Sequence, residues 1–193
     1  MKTFVLDTET GGLSPYTDGL LSVCIKELNK GDPQVYYLRP QIGKFYSWHA
    51  LNVNGLDLNE LYEVGNSVES ILMTLKETFE GHVRLIGHNI EFDLKFILQQ
   101  ARDKKITLPA IEYIDTMQLA NKHLKKTKIL KSIKLTEVFN HYFPGNEIQE
   151  MAHAGGGEAD VIMTEMIFEK LWELENQCIL CLNRPCSCKG VLK

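Results

Sequence analysis

Phe4-Val5-Leu6-Asp7-Thr8-Glu9-Thr10-Gly11-Gly12 is the stretch on which the reading of this chain turns. Three apolar residues in a row, followed by a glycine pair, read as a buried central strand that ends in a turn. Side chains two apart on a strand share a face, so Asp7 and Glu9 present their oxygens side by side. Two carboxylates held that close repel each other and bind protons more tightly unless a cation sits between them, and oxygen donors suit a hard divalent ion. A strand end whose two acids simply face water has the same local pattern. The rest of the chain has to separate the two readings.

Composition sets the outer bounds. With 193 residues, 44% of them hydrophobic, the chain can bury a sizeable core, and its length favours one domain. No apolar run approaches the roughly 20 residues that cross a bilayer. Met1-Lys2 leads straight into the first strand without a signal-peptide pattern, so the expectation is a soluble, cytoplasmic protein with no membrane association. A net charge of −4 argues against coating nucleic acid by bulk charge, and any such contact has to be local.

Along the chain, Leu20 to Leu28 and Gln34 to Arg39 read as two strands joined by the turn signal Asn29-Lys30-Gly31-Asp32-Pro33, an antiparallel hairpin. The stretch from Phe45 to Gly65 reads as short helices and loops. Ser67 caps a helix with Ile71, Leu72, Leu75 and Phe79 at helical spacing, up to Gly81. Val83 to Ile86 is a short strand leading to Gly87-His88-Asn89. A helix follows, with Phe92, Leu94, Phe96, Ile97, Leu98 and Ala101 on its apolar side and Asp93 in its first turn. A carboxylate there also suits the helix dipole, so capping is the alternative for Asp93.

Glu112 to Met117 is a further strand, with Asp115 or Thr116 opening another helix. From Lys122 to Lys134 the chain carries six lysines and His123 with no acidic residue, six of its 21 basic residues in thirteen positions. A solvated loop and a phosphate-contacting surface both fit that composition. Leu135 to Phe143 is a helix closed by Pro144-Gly145. In the last helix, Glu158 to Asn176, the residues Asp160, Met163, Ile167, Leu171 and Leu174 form one stripe directed at the core. An aspartate on a buried stripe is costly unless it is paired or bound to a metal. Seven residues upstream His153 sits beside Gly155-Gly156-Gly157, a run that leaves its loop free to move.

These four acidic positions, with Val5-Leu6-Asp7-Thr8-Glu9-Thr10-Gly11-Gly12-Leu13, Gly87-His88-Asn89-Ile90-Glu91-Phe92-Asp93, Ile114-Asp115-Thr116-Met117-Gln118-Leu119-Ala120 and His153 with Asp160, resemble the DEDDh-type 3′ to 5′ exonucleases. That family includes the polymerase III epsilon proofreading subunit, RNase T and oligoribonuclease. The resemblance implies an α/β, RNase H-like fold, a mixed five-stranded sheet flanked by helices, in an exonuclease domain over residues 1–176. It implies two Mg²⁺ or Mn²⁺ ions, one held by Asp7, Glu9 and Asp160 and the other by Asp7 and Asp93, with His153 as general base. Thr10 and Asn89, beside the matching carboxylates, and Lys125, Lys126 and Lys128 of the lysine run are then the nucleic-acid contacts. The wording Asp7-Thr8-Glu9-Thr10-Gly11 lies closer to the proofreading group, which favours DNA as substrate and a DNA polymerase or other replication protein as partner.

An exoribonuclease acting on short RNA is the alternative within the family. One departure stands out: the family's histidine usually precedes its last aspartate by five residues, whereas here the interval is seven. The glycine run is able to absorb the difference, with His88 as the second candidate base. The longer interval is also the feature that favours a non-catalytic binding module. Outside the resemblance, residues 177–193 carry Cys178, Cys181, Cys186 and Cys188. Four thiolates at C-x-x-C and C-x-C spacing suit a structural zinc ion, although the four-residue loop between the pairs is short. A reactive tail and an apolar segment docked on the core are the competing readings.

Overall fold

The central strand, β1 (Lys2–Thr10), is buried on both faces, which is why it reads as an unbroken apolar run. Phe4 and Leu6 enter a core with Ile71, Leu72 and Leu75 of α3 (Val68–Thr78) and Leu94 and Ile97 of α4 (Ile90–Asp103). Val5 enters the opposite core with Cys24, Ile86 and the Val161, Phe168 and Trp172 side chains of α7 (Glu158–Leu174). By the same alternation Asp7 and Glu9 emerge on the α7 face and Thr8 on the α4 face.

This computed structural model describes residues 1–152 and 155–175. With β2 (Leu20–Glu27), β3 (Gln34–Tyr37), β4 (Val83–Gly87) and β5 (Ile111–Asp115), β1 forms a five-stranded sheet of order β3-β2-β1-β4-β5. β1 runs antiparallel to β2 and parallel to β4, so hairpin and crossover pairing meet at the centre of a mixed sheet. The β1–β2 register shifts between Glu9 and Thr10, an irregularity of the kind that bends a strand beside a functional site.

Two short helices, α1 (Trp48–Asn54) and α2 (Leu58–Val64), occupy the stretch between the hairpin and α3. Ser67 caps α3 as the sequence indicates, accepting from the Ser70 amide at 3.1 Å. Asp115 ends β5 and caps α5 (Thr116–Ala120), which runs on into a π-helical turn, Asn121–Lys125. Before the last helix come α6 (Leu135–Tyr142) and a 3-10 turn, Glu147–Met151.

The single stripe read for the last helix needs correction. α7 lies between two layers: Val161, Phe168 and Trp172 face the sheet, while Met163, Ile167 and Leu171 pack with Leu135, Val138 and Phe139 of α6. A helix apolar on both sides is one buried between two layers. Leu174 lies beyond that packing and is 48% exposed. Among the described residues no helix is long and apolar enough to cross a membrane. The reading of residues 177–193 as a cysteine-rich segment and the placement of His153 lie outside the described residues.

Candidate active site

Three of the four acidic residues converge at the C-terminal end of β1. Asp7, Glu9 and Asp160 each offer a carboxylate oxygen, and these oxygens lie within 4.8 Å of one another. β1 supplies two of them through its two-residue repeat; the third comes from the first turn of α7, which the Val161-Phe168-Trp172 face holds against the sheet. Asp160 is 2% exposed, whereas Asp7 and Glu9 are partly open to solvent. Burial, then the charges of Asp93, Asp160 and Glu9, pushes the Asp7 carboxyl well above the usual carboxylate range. The donor set fits a hard divalent cation, which would relieve that repulsion, and no histidine or cysteine joins the group among the described residues.

Asp93 stands beside this group and is 5% exposed. The Thr8 amide and hydroxyl both donate to its Oδ1, at 3.0 and 2.6 Å. Burial outweighs these hydrogen bonds and raises its pKa to about 7. Thr8 was not singled out in the sequence, although the signal was there: on a strand that sends positions 7 and 9 to one face, position 8 must serve the other.

A cleft beside the carboxylates is lined by Asp7, His88, Asn89, Met117, Leu135 and Asp160 and, from the lysine run, by Lys125, Lys131 and Lys134. Lys126 and Lys128 are exposed and are not among its lining residues. Asn89 joins β4 to α4 in the left-handed conformation, φ 73°, which asparagine tolerates, and its amide donates to Asp115 Oδ1 at 3.0 Å. Thr10 is 8% exposed, with its hydroxyl donating to the Gly12 carbonyl at 2.7 Å. Both ring nitrogens of His88 are engaged. Nε2 donates to the Ile133 carbonyl at 2.8 Å, and Nδ1 lies 2.9 Å from Thr116 Oγ1. The ring therefore staples the end of β4 to α5 and to the lysine-bearing loop, and burial lowers its pKa.

The glycine run is held rather than loose. Gly155, Gly156 and Gly157 all have positive φ, at 74°, 105° and 101°. The Tyr37 hydroxyl donates to the Gly155 carbonyl and the Ser22 hydroxyl to the Gly156 carbonyl. A Cβ at Gly157 would stand 2.8 Å from Asp7 Oδ2, and one at Gly156 would stand 2.8 Å from Val35 Cγ1. Freedom from a side chain serves close approach here, and the freedom to move is used up.

An RNase H-like sheet with a cluster of acidic side chains at the end of its central strand defines a class of metal-dependent nucleases. The chain belongs to the RNase T exonuclease family, whose pattern, described as exonuclease, matches residues 4–160. It is thus a DEDDh-type 3′ to 5′ exonuclease, a hydrolase of a family that needs divalent metal ions. Ribonuclease T of Shewanella denitrificans is 25% identical over 153 residues, 69% of this chain and 68% of the relative. The PolC-type DNA polymerase III of Caldanaerobacter subterraneus is 28% identical over 172 residues, 88% of this chain but 11% of the polymerase. Escherichia coli exonuclease I in complex with a dT13 oligonucleotide shares the fold, with a TM-score of 0.73 at 17% identity over 91% of this chain and 42% of that one.

Proposed function

We propose that this protein removes 5′-mononucleotides from single-stranded or frayed 3′ ends of DNA. The observation that carries the reading is the group of Asp7, Glu9 and Asp160 opening, next to Asp93, into a cleft with three lysines. Asp7, Glu9 and Asp160 would hold one divalent cation, and Asp93 with Asp7 would serve a second. Mg²⁺ or Mn²⁺ supplies Lewis-acid stabilisation of the charge on the attacking and leaving oxygens. Thr8 holds Asp93 Oδ1 in one direction, so that carboxylate is preorganised. Lys125, Lys131 and Lys134 bind backbone phosphates without reading sequence. His153 takes the proton of the attacking water, a task suited to an imidazole near neutral pH. His88 serves that role less well, since both its nitrogens are spent on the staple.

DNA is supported by the PolC-type relative and by the dT13 oligonucleotide on exonuclease I. The ribonuclease T relative favours a second reading, hydrolysis of short RNA. Proofreading beside a polymerase is the setting the PolC-type relative suggests. Digestion of labelled single-stranded DNA, a duplex with a mismatched 3′ end and a short RNA, at matched concentrations in Mg²⁺, separates these. The proposal expects the single strand and the mismatched end to be shortened faster than the RNA. A preference for RNA would overturn it.

A further inference from the structure

Two hydroxyl groups outside the acidic cluster hold the segment on which that cluster depends. Tyr37 of β3 donates to the Gly155 carbonyl at 2.5 Å, and Ser22 of β2, fully buried, donates to the Gly156 carbonyl at 3.0 Å. The next residue, Gly157, is the N-cap of α7 and presses on Asp7 so closely that a Cβ there would sit 2.8 Å from Oδ2. Asp160 follows in the first turn of the helix, and in the chain His153 precedes Gly155 by two residues. Glycines at φ 74°, 105° and 101° have no intrinsic preference for that path, so the path has to be imposed by contacts. The hairpin strands supply them, one hydroxyl per carbonyl. The Tyr37 ring adds packing, since a Cβ at Gly156 would meet its Cε1 at 2.9 Å.

We propose that Tyr37 and Ser22 are positioning residues of the exonuclease reaction: together they clamp the glycine run ahead of Asp160 and set where that carboxylate meets Asp7 and Glu9 around the cation. This rests on the role given to Asp160 above. The clamp differs from ordinary fold support because it acts on backbone that has no side chains of its own to fix it. It couples the β2–β3 hairpin to the reacting atoms.

Tyr37→Phe keeps the ring and removes only the hydroxyl, and Ser22→Ala does the same with almost no change in volume. Tyr36→Phe is the control, because the Tyr36 hydroxyl donates to Gln34 on its own strand and, among the described residues, makes no hydrogen bond to the glycine run. With the full chain at saturating Mg²⁺ and single-stranded DNA, each clamp variant should lower kcat roughly 10-fold, as a displacement of under an ångström does, with KM within about two-fold. Tyr36→Phe should match wild type. The double variant should lose much less than the product of the two single losses, since both hydroxyls hold one segment. Thermal melts fix the folded fraction, so a merely structural role would show as a lower Tm with unchanged kcat per folded molecule. That result, a loss confined to KM, or fully multiplicative losses would each overturn the clamp. Asp160→Asn separates the two levels. If it retains wild-type activity the underlying role of Asp160 fails, whereas if it is inactive while Tyr37→Phe and Ser22→Ala are unaffected, only the clamp fails.

Discussion

Asp93 shows most clearly what the site costs the fold. Its pKa rises from an ordinary 3.8 to about 7, so the folded chain holds this proton more tightly than the unfolded chain does. The ionised carboxylate therefore destabilises the metal-free fold fully above about pH 7, and that penalty fades as pH falls toward 4. Asp93→Asn preserves the acceptor for both Thr8 hydrogen bonds. Its metal-free Tm should exceed wild type at pH 8, by a margin that shrinks as pH falls and closes near pH 4, and a difference independent of pH would contradict the assignment. Asp7→Ala should remove nearly all nuclease activity yet leave the metal-free protein folded and more heat-stable at pH 8, for the same reason. The pairing of Asp7 with Glu9 could be read from the two-residue repeat alone. The same repeat sends Thr8 to the opposite face, but nothing local names its partner 85 positions away.

At the scale of elements, the helices and strands follow from periodicity, capping and turn residues, while the direction in which α7 faces does not. The stripe from Asp160 to Leu174 is present in the sequence, but α7 is apolar on a second side as well, and nothing local says which side meets the sheet. The glycine run misleads in the same way: its composition suggests mobility, and only its neighbours Ser22, Val35, Tyr37 and Asp7 turn it into a fixed path. Gly157→Ala should cost roughly 1 to 3 kcal/mol from backbone strain alone and abolish turnover through the clash with Asp7. A soluble variant with wild-type Tm and rate would refute that geometry. For the lysine-bearing loop, replacing Lys125, Lys131 and Lys134 with serine should raise KM for nucleic acid and flatten its salt dependence. Replacing Lys126 and Lys128, which do not line the cleft, should do much less. Equal effects from the two sets would point to diffuse charge rather than a cleft.

For the whole molecule, the order of the motifs was enough to imply the family and its mixed sheet, because the four acids come from β1, α4 and α7, whose order along the chain the fold preserves. The meeting of β1, β4 and α7 at one point is a property of the sheet order, and no local pattern records it. Residues 1–176 are proposed as the exonuclease domain, so a chain ending at residue 176 should fold and retain activity. A structural zinc ion on the four tail cysteines is likewise proposed, so the full chain should carry close to one equivalent, lost when Cys178 and Cys181 become serine. Freely titrating thiols in zinc-free protein would exclude that site. The central claim, that the carboxylates at the end of β1 carry divalent-cation chemistry on 3′ ends, is tested most directly by digesting 5′-labelled single-stranded DNA in Mg²⁺ with wild type and Asp7→Asn, each with and without chelator. A ladder of 5′-labelled products shortening from the 3′ end with wild type in Mg²⁺, and none in the other three reactions, is the predicted result; digestion that survives chelation or the Asp7→Asn change would contradict it.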